Sequence, residues 1–102
     1  MSTNDYAQYL QENRRLVMLR ILSEMPSNTA NSSMLDDLLE KFAHHVSRDV
    51  VKNDMHWLAE QGLIALERAG DVLVGTLTQR GLDVSRGEAV VEGVAKPSTV
   101  IQ

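Results

Sequence analysis

The sequence has no cysteine among its 102 residues. That excludes a disulfide framework and any thiolate metal or redox site, and it fits a reducing, intracellular setting. It also has no apolar run near the roughly 20 residues that a membrane span needs. The opening MSTNDYAQYLQENRR lacks the basic-then-apolar order of a signal peptide. A basic excess is missing too: the formal net charge is −4. An acidic chain is not drawn to nucleic acid by its whole surface, so any DNA contact must come from a local one. There is no glycine-rich phosphate loop, no Ser/His/Asp order with supporting context and no paired carboxylates in a pocket-forming setting. These absences speak against catalysis. What remains is a chain with 43% apolar and 24% charged residues, enough for one domain with one modest core.

The apolar pattern predicts helices first. A first helix is expected from about Asp5 to Glu24, capped by Asn4 or Asp5. Its stretch LVMLRILSEM, Leu16 to Met25, is apolar almost all round, which implies burial on two sides. One side belongs to the core. The other is expected to meet a second subunit, with Leu16, Met18, Leu19 and Leu22 as the dimer interface. Pro26 stops the helix, and Ser27–Asn31 reads as a polar loop. A second helix follows from about Ser32 to Ala43, with Leu35, Leu38, Leu39 and Phe42 as its apolar stripe. His44, His45 and Val46 form a short connector to a third helix, Arg48 to Gln61, capped by Ser47 and turned inward on Val51, Met55 and Leu58. Gly62 ends it. Two strands, Leu63–Glu67 and Val72–Leu77, flank a polar turn at residues 68–71, which makes a hairpin. Thr78 caps a short last helix, Gln79 to about Ser85. The domain is thus expected to span residues 1–87, with 88–102 as an extended or disordered tail.

Two helices joined by a turn of three to four residues have helix-turn-helix spacing, and the hairpin after them stands where a wing would. The segment VVKNDMHWLAEQGLIALE resembles the third helix and first wing strand of winged-helix regulators, and LTQRGLDVSRG resembles the segment next to the wing on its C-terminal side. The resemblance covers about residues 10–87. More narrowly, NDYAQYLQENRRLVMLRIL, VSRDVVKNDMHWLAEQGLI and LTQRGLDVSRG are together similar to a small winged-helix family of Mu-like phages and prophages, whose members carry the label of arsenical-resistance-repressor-type regulators. The resemblance implies an α+β, mostly helical fold, a place in the host cytoplasm, and transcriptional regulation through DNA.

On the third helix the outward positions hold Arg48, Asp49, Lys52, Asn53 and His56, and Arg48, Lys52, Asn53 and His56 are of types that meet bases and phosphates. Ser47 stands at the helix start, where free amides favour a phosphate. Arg68 at the wing tip completes the candidate DNA contacts. Against this, residues 47–61 carry Arg48 and Lys52 but also Asp49, Asp54 and Glu60, a net of −1; the same face reads equally as a solvated polar surface. Arg14 and Arg15, beside Glu12, read as a solvated face or ion pair and otherwise as backbone contacts. Trp57 reads as the edge of the core. His44 and His45 lack the companions of a zinc site, so neither metal nor cofactor is expected. A second reading makes the domain a non-enzymatic interaction module for phage DNA packaging or particle assembly, its tail (Ala89, Val90, Val91, Val94, Val100, Ile101) ordering on a phage protein.

Overall fold

The computed structural model describes residues 3–97. Helix α1 runs Thr3–Glu24, so Asn4 and Asp5, expected at the cap position, lie within its first turn. Pro26 ends the helical path in a short 3-10 turn, Pro26–Asn28. The Asn28 side-chain amide then donates to the carbonyls of Leu22 and Ser23, each at 3.2 Å, beside the Met25 N–H that Leu22 O already accepts, and so ties off the helix end.

Ser27–Asn31 is not wholly a loop. Thr29–Asn31 forms a strand, β1. Three mostly polar residues carry no period-two signal; this strand exists because it pairs with a distant one. Helix α2 follows at Ser32–Lys41, capped by Asn31 Oδ1, which accepts from Met34 N at 2.8 Å. It ends two residues early because Ala43 takes a positive φ of 67°. Phe42 therefore leaves the stripe predicted for it and is 57% exposed. The link to the next helix is six residues, Phe42 to Ser47, longer than the three to four expected.

Helix α3 is Arg48–Glu60, capped by Ser47 Oγ, which accepts from Val50 N. Strands β2 (Ile64–Ala69) and β3 (Val72–Leu77) form the hairpin, and helix α4 is Gln79–Ser85. The sheet order is β1-β3-β2, all antiparallel, with Ala30 opposite Gly75 and Leu66 opposite the same glycine on the other side. The fold is α+β and mostly helical, four helices and a three-stranded antiparallel sheet among the described residues, an arrangement compatible with a winged helix.

Gly81 costs helix propensity, and the packing explains its presence. A Cβ there would collide with the backbone oxygen of Leu63, so the start of α4 closes on β2 only with glycine. Thr78 holds the same corner: its hydroxyl donates to Gly62 O at 2.7 Å and accepts from Gly81 N at 3.0 Å.

The core joins α1 (Leu16, Met18, Leu19, Leu22), α2 (Leu35, Leu39), α3 (Val51, Met55, Leu58) and the hairpin (Leu63, Ile64, Leu73). This corrects the expected dimer interface. Leu16, Met18, Leu19 and Leu22 are all buried within one chain, because α1 runs through the middle of the fold. It touches α2, α4 and the sheet, and those elements cover the stretch that looked too apolar for one small core.

The segment after α4 also covers it. Residues 88–97 contain no helix or strand, yet they are not loose. Val91 and Val94 are buried in the core cluster. Ala95 N donates to Glu12 O at 3.1 Å, and Gly93 O accepts from Arg15 Nη1 at 3.1 Å. Val100 and Ile101 lie outside the described residues.

Candidate nucleic-acid interface

The inward face of α3 is Val51, Asp54, Met55 and Leu58, all buried. This orientation turns Arg48, Lys52, Asn53 and His56 toward solvent. Arg48 is largely exposed and leans toward Asp36 of α2, Nε to Oδ2 at 3.9 Å; so open a pair holds the arginine weakly. Lys52 reaches the hairpin, its Nζ donating to Asp71 O at 2.8 Å. Asn53 and His56 border an open cleft between α3 and the N-terminal half of α1, shared with Gln11 and Trp57. The candidate set thus sits on one side of the helix but divides between the hairpin and the α1 cleft.

The hairpin loop is shorter than expected. Ala69 pairs with Val72, which leaves Gly70 and Asp71 as a two-residue loop with glycine at its first position, the arrangement of the tight turns that suit a twisted hairpin. Arg68 consequently lies in β2, opposite Leu73, and not in the turn. It is exposed. The Lys52 contact ties this loop to α3, so helix and hairpin present one continuous surface.

Three residues assigned to solvated or marginal roles turn out to organise that surface. Arg14 and Arg15 are buried, 7% and 8% exposed, and Asp54 is 2% exposed. Arg14 Nε donates to Asp54 Oδ2 at 2.5 Å and Arg15 Nε to Oδ1 at 3.0 Å. One carboxylate therefore holds two guanidiniums, and α3 is locked to α1. The Arg15 guanidinium also lies over the Trp57 ring, 3.9 Å from its centroid, a favourable cation–π stack. A sequence signal for this existed. Asp54 falls in the apolar arc of α3, three after Val51 and one before Met55, and a buried carboxylate needs a cationic partner. Nothing in the sequence says which arginine supplies it.

The triad changes the charge reading of α3. Asp54 is neutralised inside the fold, so the surface of the helix carries Arg48 and Lys52 against Asp49 and Glu60, a balance of zero in place of −1.

His44 sits beside the triad, buried, its Nε2–H donating to Asn13 Oδ1 at 2.8 Å. Burial, reinforced by the nearby Arg14 cation and more weakly by His45, pushes its pKa below the usual imidazole value, while Asp54 pulls it back up. Among the described residues, no three His, Asp or Glu side chains gather into a metal-binding group, and no helix is long and apolar enough to cross a membrane.

No family model matches the chain, and no solved structure matches it. Two curated proteins do. "Uncharacterized protein gp26" of Escherichia phage Mu is 50% identical over 88 residues, which span 86% of this chain and 91% of the relative. An "Uncharacterized protein" of Haemophilus influenzae (strain ATCC 51907 / DSM 11121 / KW20 / Rd) is 41% identical over 81 residues, 78% of each chain. Identity of this depth over nearly the whole phage protein settles kinship: the chain belongs to the family of phage Mu gp26.

Proposed function

We propose that this chain is a non-enzymatic winged-helix protein of a Mu-like phage or prophage that binds duplex DNA and regulates transcription. Helix α3 is the reading helix and the β2–β3 hairpin is the wing. The observation that carries the reading is the joining of the two by the Lys52 Nζ to Asp71 O hydrogen bond, beside an α3 face that offers Arg48, Asn53 and His56 to solvent. A helix presented with a hairpin beside it suits a major groove and its flanking phosphates. The first turn of α3 is exposed at Ser47, Arg48 and Asp49, and the Ser47 cap takes up only the Val50 amide, so amides remain there for a phosphate. The phage Mu relative supports the phage origin.

The test is fluorescence anisotropy of labelled duplexes, drawn from phage DNA, across a salt series. Arg48→Ala and Lys52→Ala should each weaken binding at low salt. Each should also lower the slope of log affinity against log salt by about 0.9, the loss of one phosphate contact. Unchanged affinity in both variants removes this face from the reading.

A second reading, a winged-helix interaction module in phage DNA packaging or particle assembly, is favoured by the net charge of −4 and by the absence of a positive excess on α3. A pull-down with neighbouring phage gene products separates the two. Tight operator binding without a protein partner rejects the second.

A further inference from the structure

Asp36 is the only charged residue of α2 drawn in from the surface. Its side chain is 20% exposed, whereas Asp37, Glu40 and Lys41 are open to solvent. Its Oδ1 is buried and accepts no hydrogen bond, which holds for no other buried side-chain oxygen or nitrogen among the described residues. Its Oδ2 has Arg48 Nε at 3.9 Å, beyond hydrogen-bond reach. A carboxylate withdrawn from water costs free energy unless donors replace the water. Here none does, so packing gives no reason for the charge, and the orphaned oxygen calls for another explanation.

What Asp36 faces supplies one. Arg48 is the first residue of α3, and its side chain is 63% exposed. Among the described residues no other carboxylate pairs with it. The two attract by charge alone, without a directional bond, so the pair is cheap to break. A phosphate can do more for the same guanidinium, because it accepts two parallel N–H bonds. It also meets the Asp36 carboxylate there, and like charges repel.

We propose that Asp36 is a positioning residue that competes with a DNA phosphate for Arg48. In the free protein it draws the guanidinium toward α2. On DNA the guanidinium passes to a phosphate, and Asp36 is left beside that phosphate without a cation. Both steps work against binding, so Asp36 holds the affinity of the α3 face below what Arg48 alone would give. The proposal rests on the reading of α3 as a DNA-binding helix and adds to it the residue that restrains the grip.

The experiment is a thermodynamic cycle on the full chain, read by anisotropy of one labelled phage duplex at about 50 mM salt. The variants are Asp36→Asn, Asp37→Asn, Arg48→Ala and the double variant Asp36→Asn/Arg48→Ala. Asp36→Asn keeps the shape of the side chain. It should tighten binding by about two- to fivefold, the range of a surface ion pair. Asp37→Asn makes the same change of charge at an exposed position of the same helix and should tighten it less. In the Arg48→Ala background the excess of Asp36→Asn over Asp37→Asn should disappear. The melting temperature of Asp36→Asn should hold or rise, because the charge it removes has a buried oxygen without a donor. If the wild type binds and Asp36→Asn binds no more tightly, the proposal is overturned and the DNA reading stands; a lowered melting temperature in that case assigns Asp36 to the fold. A gain no larger than that of Asp37→Asn, or one that persists without Arg48, is general repulsion and overturns the proposal as well. If neither the wild type nor Asp36→Asn binds any duplex, the DNA reading fails and the proposal fails with it.

Discussion

Asp54 is the residue on which the interior depends most. It is a buried carboxylate between two buried guanidiniums. Removing one member of such a cluster leaves uncompensated charge inside the protein, at a cost of about 3–5 kcal/mol. Asp54→Ala should therefore lower the stability seen in urea unfolding by about that amount. Arg14→Met should cost less, because Arg15 still holds the carboxylate. A loss below about 1 kcal/mol for Asp54→Ala would show that the arginines find other partners. His44 adds a pH dependence. Its folded-state pKa lies below the unfolded value of 6.5. The unfolded chain then takes up a proton at a pH where the folded chain still refuses it. The stability His44 contributes is complete above 6.5 and is lost as pH falls through the folded value. His44→Gln retains a donor for Asn13 and does not titrate. The wild type should lose stability relative to this variant between about pH 7.5 and pH 5, by chemical denaturation.

At the scale of elements, residues 88–97 act as a strap, tied to α1 through Glu12 O and Arg15. Gly93 is the point where the strap crosses Trp57. It has φ +104°, and a Cβ there would lie 2.6 Å from the indole ring. Gly93→Ala therefore adds both backbone strain and a clash. Together these should cost about 1–3 kcal/mol, raise hydrogen exchange in residues 88–97, and shift the emission of the single tryptophan. The strap was not legible as packed structure. Val91 and Val94 follow no helical or strand period, and their burial depends on a surface formed by α1 and α4. Helices α2, α3 and α4 were legible because their caps are local: Asn31, Ser47 and Thr78 each accept from an amide three residues on. Strand β1 was not, since its only cause is the register Thr29–Thr76, Ala30–Gly75 and Asn31–Val74.

For the molecule as a whole, the acidity has a definite place. Residues 31–46 carry an excess of −2, from Asp36, Asp37 and Glu40 against Lys41. The negative excess therefore lies on α2 and its link to α3. The proposed DNA affinity should accordingly be modest and fall steeply with salt, as a contact made locally against a repelling background does. Anisotropy across the salt series checks this, since the wild-type slope counts the phosphates engaged. By itself the sequence determined the kind of fold. Helical spacing, caps, Pro26 and the hairpin turn act within a few residues of each other, so their effects are readable in one dimension. It also placed Arg48, Lys52, Asn53 and His56 together, because a few turns of one helix suffice to do so. Only the tertiary structure decided which faces are covered. Leu16, Met18, Leu19 and Leu22 became core, Tyr6 and Phe42 became surface, and Val17 stayed half-buried between them. It likewise decided that Asp54 belongs to the interior with Arg14 and Arg15, some 40 residues away in the chain. Burial and charge pairing depend on elements that meet only after folding, and no local pattern states which of them will meet.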